Sequence, residues 1–329
     1  EMDREDSRRR SEQMLALQRS RIEGTSVEAA KPEPDRGASR RRERAKREST
    51  LQERDVAANE ADLQEEPEPL GFPDLVGTYG GLTPLLLATR EGHTDAVLSL
   101  LDGGVDINQV SAADQASPIL MAAINGHFDL AMSLLERGGD PNLASDAGAT
   151  PLYAALNMRW LPEARHPQPT DHLRQRVTYL ELMEALLEAG AGVNARLKKS
   201  LWFTTYNRDL LGVDRAGATP FWRAAYALDI DAMRLLLSYD ADPTLPTFKT
   251  PQRRRRGDDV DHSGLPPVLI GGPGVYPIHA ASGVGYGQGF AGNTHQHISD
   301  GWIPAVKFLV EELGADVNTR DHNGYNPVH

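Results

Sequence analysis

The sequence predicts an all-α protein whose helices form a solenoid of helix-turn-helix repeats. Three recurring features carry this prediction: a Thr-Pro-like pair before an apolar residue, a pair of leucines, and a string similar to Gly-Ala-Asp-Val-Asn. The first feature occurs six times, with its proline at Pro84, Pro118, Pro151, Pro220, Pro277 and Pro327. A single helical hairpin cannot bury its apolar face alone, so consecutive hairpins are expected to stack against one another.

Each position in the repeat has a local physical role. The Thr or Ser before the proline caps the first helix, and proline at the first helical position lacks only a donor that would be unpaired there. An alanine four residues after the proline, as at Ala122 and Ala224, is small enough for helices to approach closely. A glycine after the second helix is expected to end it in the left-handed conformation. These glycines are Gly103, Gly138 and Gly190.

These residues resemble the ankyrin repeat, whose consensus is Thr-Pro-Leu-His-x-Ala and whose period is about 33 residues. The nearest match to the consensus histidine is the string Pro-Ile-His-Ala-Ala at residues 277–281. The resemblance covers residues 78–329, which it divides into five repeats plus the start of a sixth. It implies an ankyrin-repeat solenoid, here with long loop insertions similar to those of some bacterial ankyrin proteins. That likeness implies a bacterial origin, with cytoplasm and periplasm both open.

The spacing of the repeats is irregular around repeat 4. Successive anchor prolines are separated by 34, 33, 69, 57 and 50 residues. With repeat 2 as the reference, repeat 3 carries 19 extra residues after Met158, and repeat 5 carries 17 between Gly283 and Trp302, both in the turn between their helices. The joints before and after repeat 4 carry 17 and 24 extra residues, around residues 197–213 and within 246–273. Long loops on a rigid scaffold are commonly functional or disordered.

The candidate partner-binding residues lie in the joint before repeat 4 and in the first helix of repeat 4. Aromatic residues and arginine are the types that anchor protein interfaces. In the ankyrin family, the first helix helps to line the concave binding side. The predicted site consists of Trp202, Phe203, Tyr206, Arg208, Arg223 and Tyr226. The alternative interpretation is that Trp202 and Phe203 fold back as a small local core.

Residues 1–70 form a charged leader that is predicted to be disordered. The segment contains 15 Lys and Arg, 18 Asp and Glu, and no aromatic residue. It cannot bury enough apolar surface to offset the entropy of ordering. The basic run from Arg40 to Arg47 could contact RNA or an acidic surface, but neighbouring acids cancel much of its field, which favours a solvated polyampholyte.

Most chemical functions lack a supporting pattern. The absence of cysteine excludes disulfides and cysteine-based metal sites, and no apolar stretch is long enough to span a bilayer. The glycines at 287, 289 and 292 satisfy a dinucleotide-binding spacing but follow a helix rather than a strand. His295 and His297, with Asp300 nearby, are candidate metal ligands, and a polar loop is the favoured interpretation. No paired nucleophile and base is apparent.

The sequence therefore predicts a non-enzymatic scaffold that binds a protein or peptide through the concave helix surface and the insertions around repeat 4. No cofactor, metal or membrane span is predicted, and a net charge of -12 argues against nucleic acid as a partner. Two alternatives remain open. One is a ligand- or metal-dependent enzyme whose pocket is formed by the insertions, and the other is a structural spacer without a specific partner.

Overall fold

The computed structural model describes residues 67–71, 73–74, 80–161, 170–201, 213–251, 266–285 and 295–328. Contacts divide the chain into two units, Glu1–Glu65 and Glu66–His329, and all the described residues belong to the second. The predicted leader therefore lies almost wholly outside the described residues. Its disorder and its boundary at residue 70 stay predictions.

The described residues form helices and turns, which confirms the all-α prediction. Within them, β pairing is limited to an isolated antiparallel bridge between Phe248 and Pro273. The helices are α1 Pro84–Arg90, α2 Thr94–Asp102, α3 Pro118–Asn125, α4 Phe128–Glu136, α5 Pro151–Arg159, α6 Tyr179–Glu188, α7 Pro220–Tyr226, α8 Ile230–Leu237, α9 Pro277–Ala281 and α10 Trp302–Lys307. A 3-10 turn covers Asp171–Arg174, and α10 continues as a π-helical turn, Phe308–Glu312.

The first helix of each of the five repeats begins at its anchor proline, as the sequence predicts. In repeats 1 to 4, the preceding Thr or Ser accepts a hydrogen bond from the backbone N–H two residues after the proline. Tyr276 stands at this position in repeat 5 and makes no capping bond to any residue that the structure describes. Tyrosine carries no short side-chain acceptor for a cap, and α9 has only 5 residues.

The helices stack in two rows, which confirms the solenoid. The first helices pack in the order α1, α3, α5, α7 and α9, and among the second helices α4 packs on α6 and α6 on α8. Alanines of the repeat pattern lie on the first helices and are fully buried at Ala122, Ala155, Ala224 and Ala281. Their small side chains allow the close approach that stacking requires.

The ends of the second helices correct one sequence prediction. Gly138 and Gly190 have φ angles of +93° and +87°, in the left-handed region that terminates a helix. The sequence predicts the same role for Gly103, but its φ is -77°, and the next residue, Gly104, takes the left-handed angle of +88°. In all three repeats the left-handed residue is the second after the last helical residue, and in repeat 1 Gly104 stands at that position.

The sequence predicts that all 17 extra residues of repeat 5 lie between Gly283 and Trp302, but the structure places one of them in the π-helical turn of the second helix. Asn142 follows Leu134 by 8 residues, whereas Asn318 follows Leu309 by 9. The extra residue lies in the second helix, where a wider turn accommodates it while Leu309 stays buried. The other extra residues lie in the turn between the two helices, as the spacing predicts.

Candidate partner-binding region around repeat 4

The structure places two of the six predicted site residues, and both are buried. Arg223 is 1% exposed and Tyr226 is 0% exposed, and every residue of α7 is buried. The other four, Trp202, Phe203, Tyr206 and Arg208, lie outside the described residues. Arg223 and Tyr226 therefore support repeat 4 from within, and partner contact through any of the six stays a prediction.

Hydrogen bonds to repeat 3 hold the Arg223 guanidinium. Its Nε donates to Asn157 Oδ1 at 2.8 Å, and its Nη2 donates to the carbonyl oxygen of Trp160. Its Nη1 has no acceptor among the described residues. Burial lowers the pKa of Arg223 to about 10, because desolvation disfavours the charged form. The side chain thus links α7 to the end of α5 at an electrostatic cost.

Asp229 is a second buried charge, at the turn of repeat 4, and sequence reasoning missed it. Its Oδ1 accepts from the backbone N–H of Ala232 at 3.0 Å, which caps α8. Its Oδ2 accepts from Trp160 Nε1 and from the Tyr179 hydroxyl, both at 2.8 Å. Burial raises the pKa of Tyr179, and the negative charge of Asp229 raises it further. The sequence did contain a signal for this role, because repeats 1 and 2 have histidine at the cap position where repeat 4 has aspartate.

The end of the insertion in repeat 5 returns to the helix-turn end of repeat 4. His295 Nε2 lies 2.7 Å from the carbonyl oxygen of Tyr226 and donates to it, which satisfies a carbonyl in the last turn of α7. The rings of these two residues lie 4.3 Å apart between centroids. The backbone N–H of Ile298 donates to Ala227 O at 3.0 Å. Residues 295–298 therefore pack on the end of α7 and contribute to the burial of Tyr226.

The same contacts define the chemistry of the two histidines that the sequence offers as metal ligands. Burial, reinforced by the positive charge of Arg223, lowers the pKa of His295 to about 3. His297 Nδ1 lies 2.9 Å from the carbonyl oxygen of Ile298, and its ring contacts Trp302. Within the described residues, no three His, Asp or Glu side chains are placed to hold a metal ion together.

The insertion in repeat 3 likewise returns to the repeat before it. The Asp129 carboxylate, in the first turn of α4, accepts from the backbone N–H groups of Arg176 and Val177 at 3.0 and 2.8 Å. Gln175 Oε1 accepts from the backbone N–H of Asp129 at 3.0 Å. The ends of the insertions in repeats 3 and 5 are thus each hydrogen-bonded to the preceding repeat.

A carboxylate joins the bases of the two joints that flank repeat 4. Asp214 Oδ1 accepts from Ser200 Oγ at 3.0 Å and from the backbone N–H of Ala216 at 2.9 Å. Its Oδ2 accepts from Thr250 Oγ1 at 2.5 Å. Ser200 lies two residues before Trp202, and Thr250 lies three residues before Arg253. The chain therefore enters both joint insertions from neighbouring points at the same end of repeat 4.

Comparison with known proteins agrees with this architecture. Residues 85–162 match the family model for ankyrin repeats, in 3 copies. No curated protein matches the chain. In the part of the chain that the structure describes, no helix is long and apolar enough to cross a membrane. The matched residues cover the first helical hairpins, and the same proline-initiated hairpins continue through repeats 4 and 5. The chain therefore contains ankyrin repeats at residues 85–162, and its later hairpins have the same local pattern.

Proposed function

We propose that this protein is a non-enzymatic scaffold that binds a protein or peptide through the concave helix surface and the insertions around repeat 4. Ankyrin repeats are in general protein-protein interaction modules. The observation that carries the proposal is the Asp214 carboxylate, which holds Ser200 and Thr250 together. Two long insertions therefore start side by side on one rigid repeat.

The insertion after Ser200 carries the residue types that anchor interfaces. Trp202, Phe203, Tyr206 and Arg208 follow within eight residues of it. Aromatic and arginine side chains dominate binding energy where partners bury them. Repeat 4 supplies a rigid base for them, because α7 is buried along its whole length and tied to both neighbouring repeats. A rigid base reduces the ordering cost of binding.

Burial of Arg223 changes which variant tests the proposal. Substitution of Arg223 by alanine would remove its bonds to Asn157 and Trp160 and would change stability as well as any partner contact. Trp202→Ala and Arg208→Ala are the better probes. Ile303→Ala is the control, because Ile303 is a large exposed apolar residue on α10, a second helix that does not belong to the proposed surface.

The test is affinity capture by the immobilised full chain, followed by binding measurements on the purified captured protein. We expect one specific protein to bind the wild type and Ile303→Ala equally, and Trp202→Ala at least about tenfold more weakly, as is typical of an aromatic anchor. Circular dichroism checks that helical content is unchanged. Equal affinity of all the variants, or the absence of any specifically captured protein, would contradict the proposal.

A further inference from the structure

The segment that precedes repeat 1 contacts the joint between repeats 3 and 4. Lys199 Nζ donates to the backbone carbonyl oxygen of Asp74 at 2.6 Å, across 125 residues of sequence. The chain reaches repeat 1 at Gly81, whose carbonyl oxygen accepts from the backbone N–H of Ala112. The described residues 67–71 and 73–74, named here the strap, therefore reach a surface that belongs to a distant joint.

The strap presents its carbonyl from a defined turn. The backbone N–H of Asp74 donates to Gly71 O at 3.1 Å, and the backbone N–H of Gly71 donates to Asp74 Oδ2 at 2.8 Å. Prolines at positions 67, 69 and 73 fix φ and remove backbone donors. The turn and the prolines thus order the peptide in part before it docks, and the Asp74 carbonyl oxygen remains available as an acceptor.

The surface that receives the strap is held firmly around Lys199. The backbone N–H of Leu197 donates to Ala218 O at 3.0 Å, and that of Lys198 donates to Ala147 O at 2.8 Å. The next side chain, Ser200, is bonded to Asp214. The chain is thus held by backbone bonds before Lys199 and by the Ser200 side chain after it, while the Lys199 ammonium group is directed at the strap.

We propose that Lys199 marks a surface for short proline-containing peptides, and that the strap is its internal ligand. The proposal rests on the proposed function and deepens it, because Lys199 lies three residues before Trp202. The bonded atom of the strap is a main-chain carbonyl oxygen, which any peptide of similar backbone shape can supply. An external peptide of this class takes the place of the strap.

The docking is suited to exchange. The contact is an exposed hydrogen bond from an ammonium group, and Leu70, the large apolar side chain of the described strap residues, is 55% exposed. For the described strap residues, little apolar area therefore becomes exposed when the strap leaves. A tethered segment has an effective concentration on the order of millimolar, so a free peptide competes at concentrations of that order or above.

The first test measures the position of the strap in the full chain by pulsed electron paramagnetic resonance. Since the sequence has no cysteine, Leu70→Cys and Asp146→Cys introduce the only two labelling sites. We expect a narrow distance distribution with Lys199 and with the neighbouring control Lys198→Met. We expect a broad distribution with Lys199→Met. A distribution that is broad with native Lys199, or that stays narrow in Lys199→Met, overturns the proposal.

The second test adds a blocked peptide with the sequence of residues 67–74, at several times the millimolar effective concentration, to the labelled protein. We expect the distribution to broaden with this peptide and to stay narrow with a scrambled peptide of equal charge. No change with either peptide, or the same change with both, overturns the peptide specificity. Neither test uses Trp202 or a captured partner, so its failure is distinct from failure of the proposed function.

Discussion

Repeats 1 and 4 begin with the same local pattern and end in different environments. Both first helices start at a Thr-capped proline, and both have 7 residues. In α1, Leu87 is 40% exposed, whereas its counterpart in α7, Arg223, is 1% exposed. The helix is therefore specified locally, while its burial depends on what its neighbours add. Repeats 3 and 5 supply Trp160 and His295 to repeat 4.

The caps of the second helices show the same contrast. His93 precedes α2 and makes no side-chain capping bond within the described part of the chain, whereas Asp229 caps α8 and also binds Trp160 and Tyr179. Equivalent positions thus have a local role in one repeat and an inter-repeat role in the other. Paired substitutions at equivalent positions can measure this difference.

The largest effect is expected for Asp229→Ala. The substitution removes the cap of α8 and leaves the buried donors of Trp160 and Tyr179 without their acceptor, which should lower the free energy of unfolding by about 3–5 kcal/mol. His93→Ala, the matched control, should cost less than about 0.5 kcal/mol. Urea unfolding of both variants provides the comparison. Similar losses would show that the inter-repeat bonds of Asp229 contribute nothing.

Substitutions of Arg223 should separate its volume from its charge. Arg223→Ala removes two hydrogen bonds and leaves a cavity, at a cost of about 3 kcal/mol. Arg223→Met fills the space and removes a buried charge, so its cost should be smaller by about 1 kcal/mol or more. Leu87→Ala, at the exposed equivalent position, should cost about 0.5 kcal/mol. A larger loss for Arg223→Met than for Arg223→Ala in urea unfolding would refute this ranking.

The pH dependence of stability tests the contact between repeats 5 and 4. The pKa of His295 is lowered to about 3 in the folded chain, so the unfolded state binds the proton more readily. Stability should therefore fall as pH decreases below about 6.5, by about 1.4 kcal/mol per pH unit from this group and about 2 kcal/mol by pH 5. His295→Gln keeps a donor for Tyr226 O and should remove the contribution of His295 to this pH dependence.

The control for this prediction is His93→Gln, because His93 is an exposed histidine of repeat 1 that takes no part in the contact between repeats 5 and 4. His172, His279 and His322 also have pKa values lowered by burial, so part of the slope remains in every variant. Unfolding free energies between pH 7 and pH 5 provide the measurement. If His295→Gln and the wild type have equal slopes, His295 is not buried against α7 in solution.

The smallest effect concerns a bond that recurs between repeats. Asn142 Oδ1 accepts from Gly192 N at 2.8 Å, and its Nδ2 donates to Gly190 O at 3.0 Å. Asn142→Ala should lower the free energy of unfolding by about 1 kcal/mol, because the Gly192 N–H and the Gly190 carbonyl stay accessible to water. Thr244, the equivalent residue after repeat 4, bonds within its own turn to Asp242, and Thr244→Ala should cost less. An equal cost in urea unfolding would contradict this distinction.

Much of the fold was predictable because its determinants are close in sequence. The Thr-Pro pairs start the helices at the predicted residues, and the alanines are buried where helices approach. The placement of the insertions also follows from spacing alone. The exceptions are the shift from Gly103 to Gly104 and the π-helical turn, where more than one local backbone solution fits the same residues.

The candidate site was less predictable because its contacts join residues that are far apart in sequence. Arg223 bonds to Asn157 across 66 positions, and Tyr179 reaches Asp229 across 50. No local pattern encodes these pairs, and the residue types alone suggested exposed binding groups at Arg223 and Tyr226.

The sequence by itself determined the helices, their order and the positions of the insertions, since capping and helical periodicity act within a few residues. Only the tertiary structure decided that α7 is buried, that Asp214 joins two insertion bases, and that the strap lies on Lys199. These features depend on which distant residues the ends of the long loops contact, and the length of a loop does not determine those contacts.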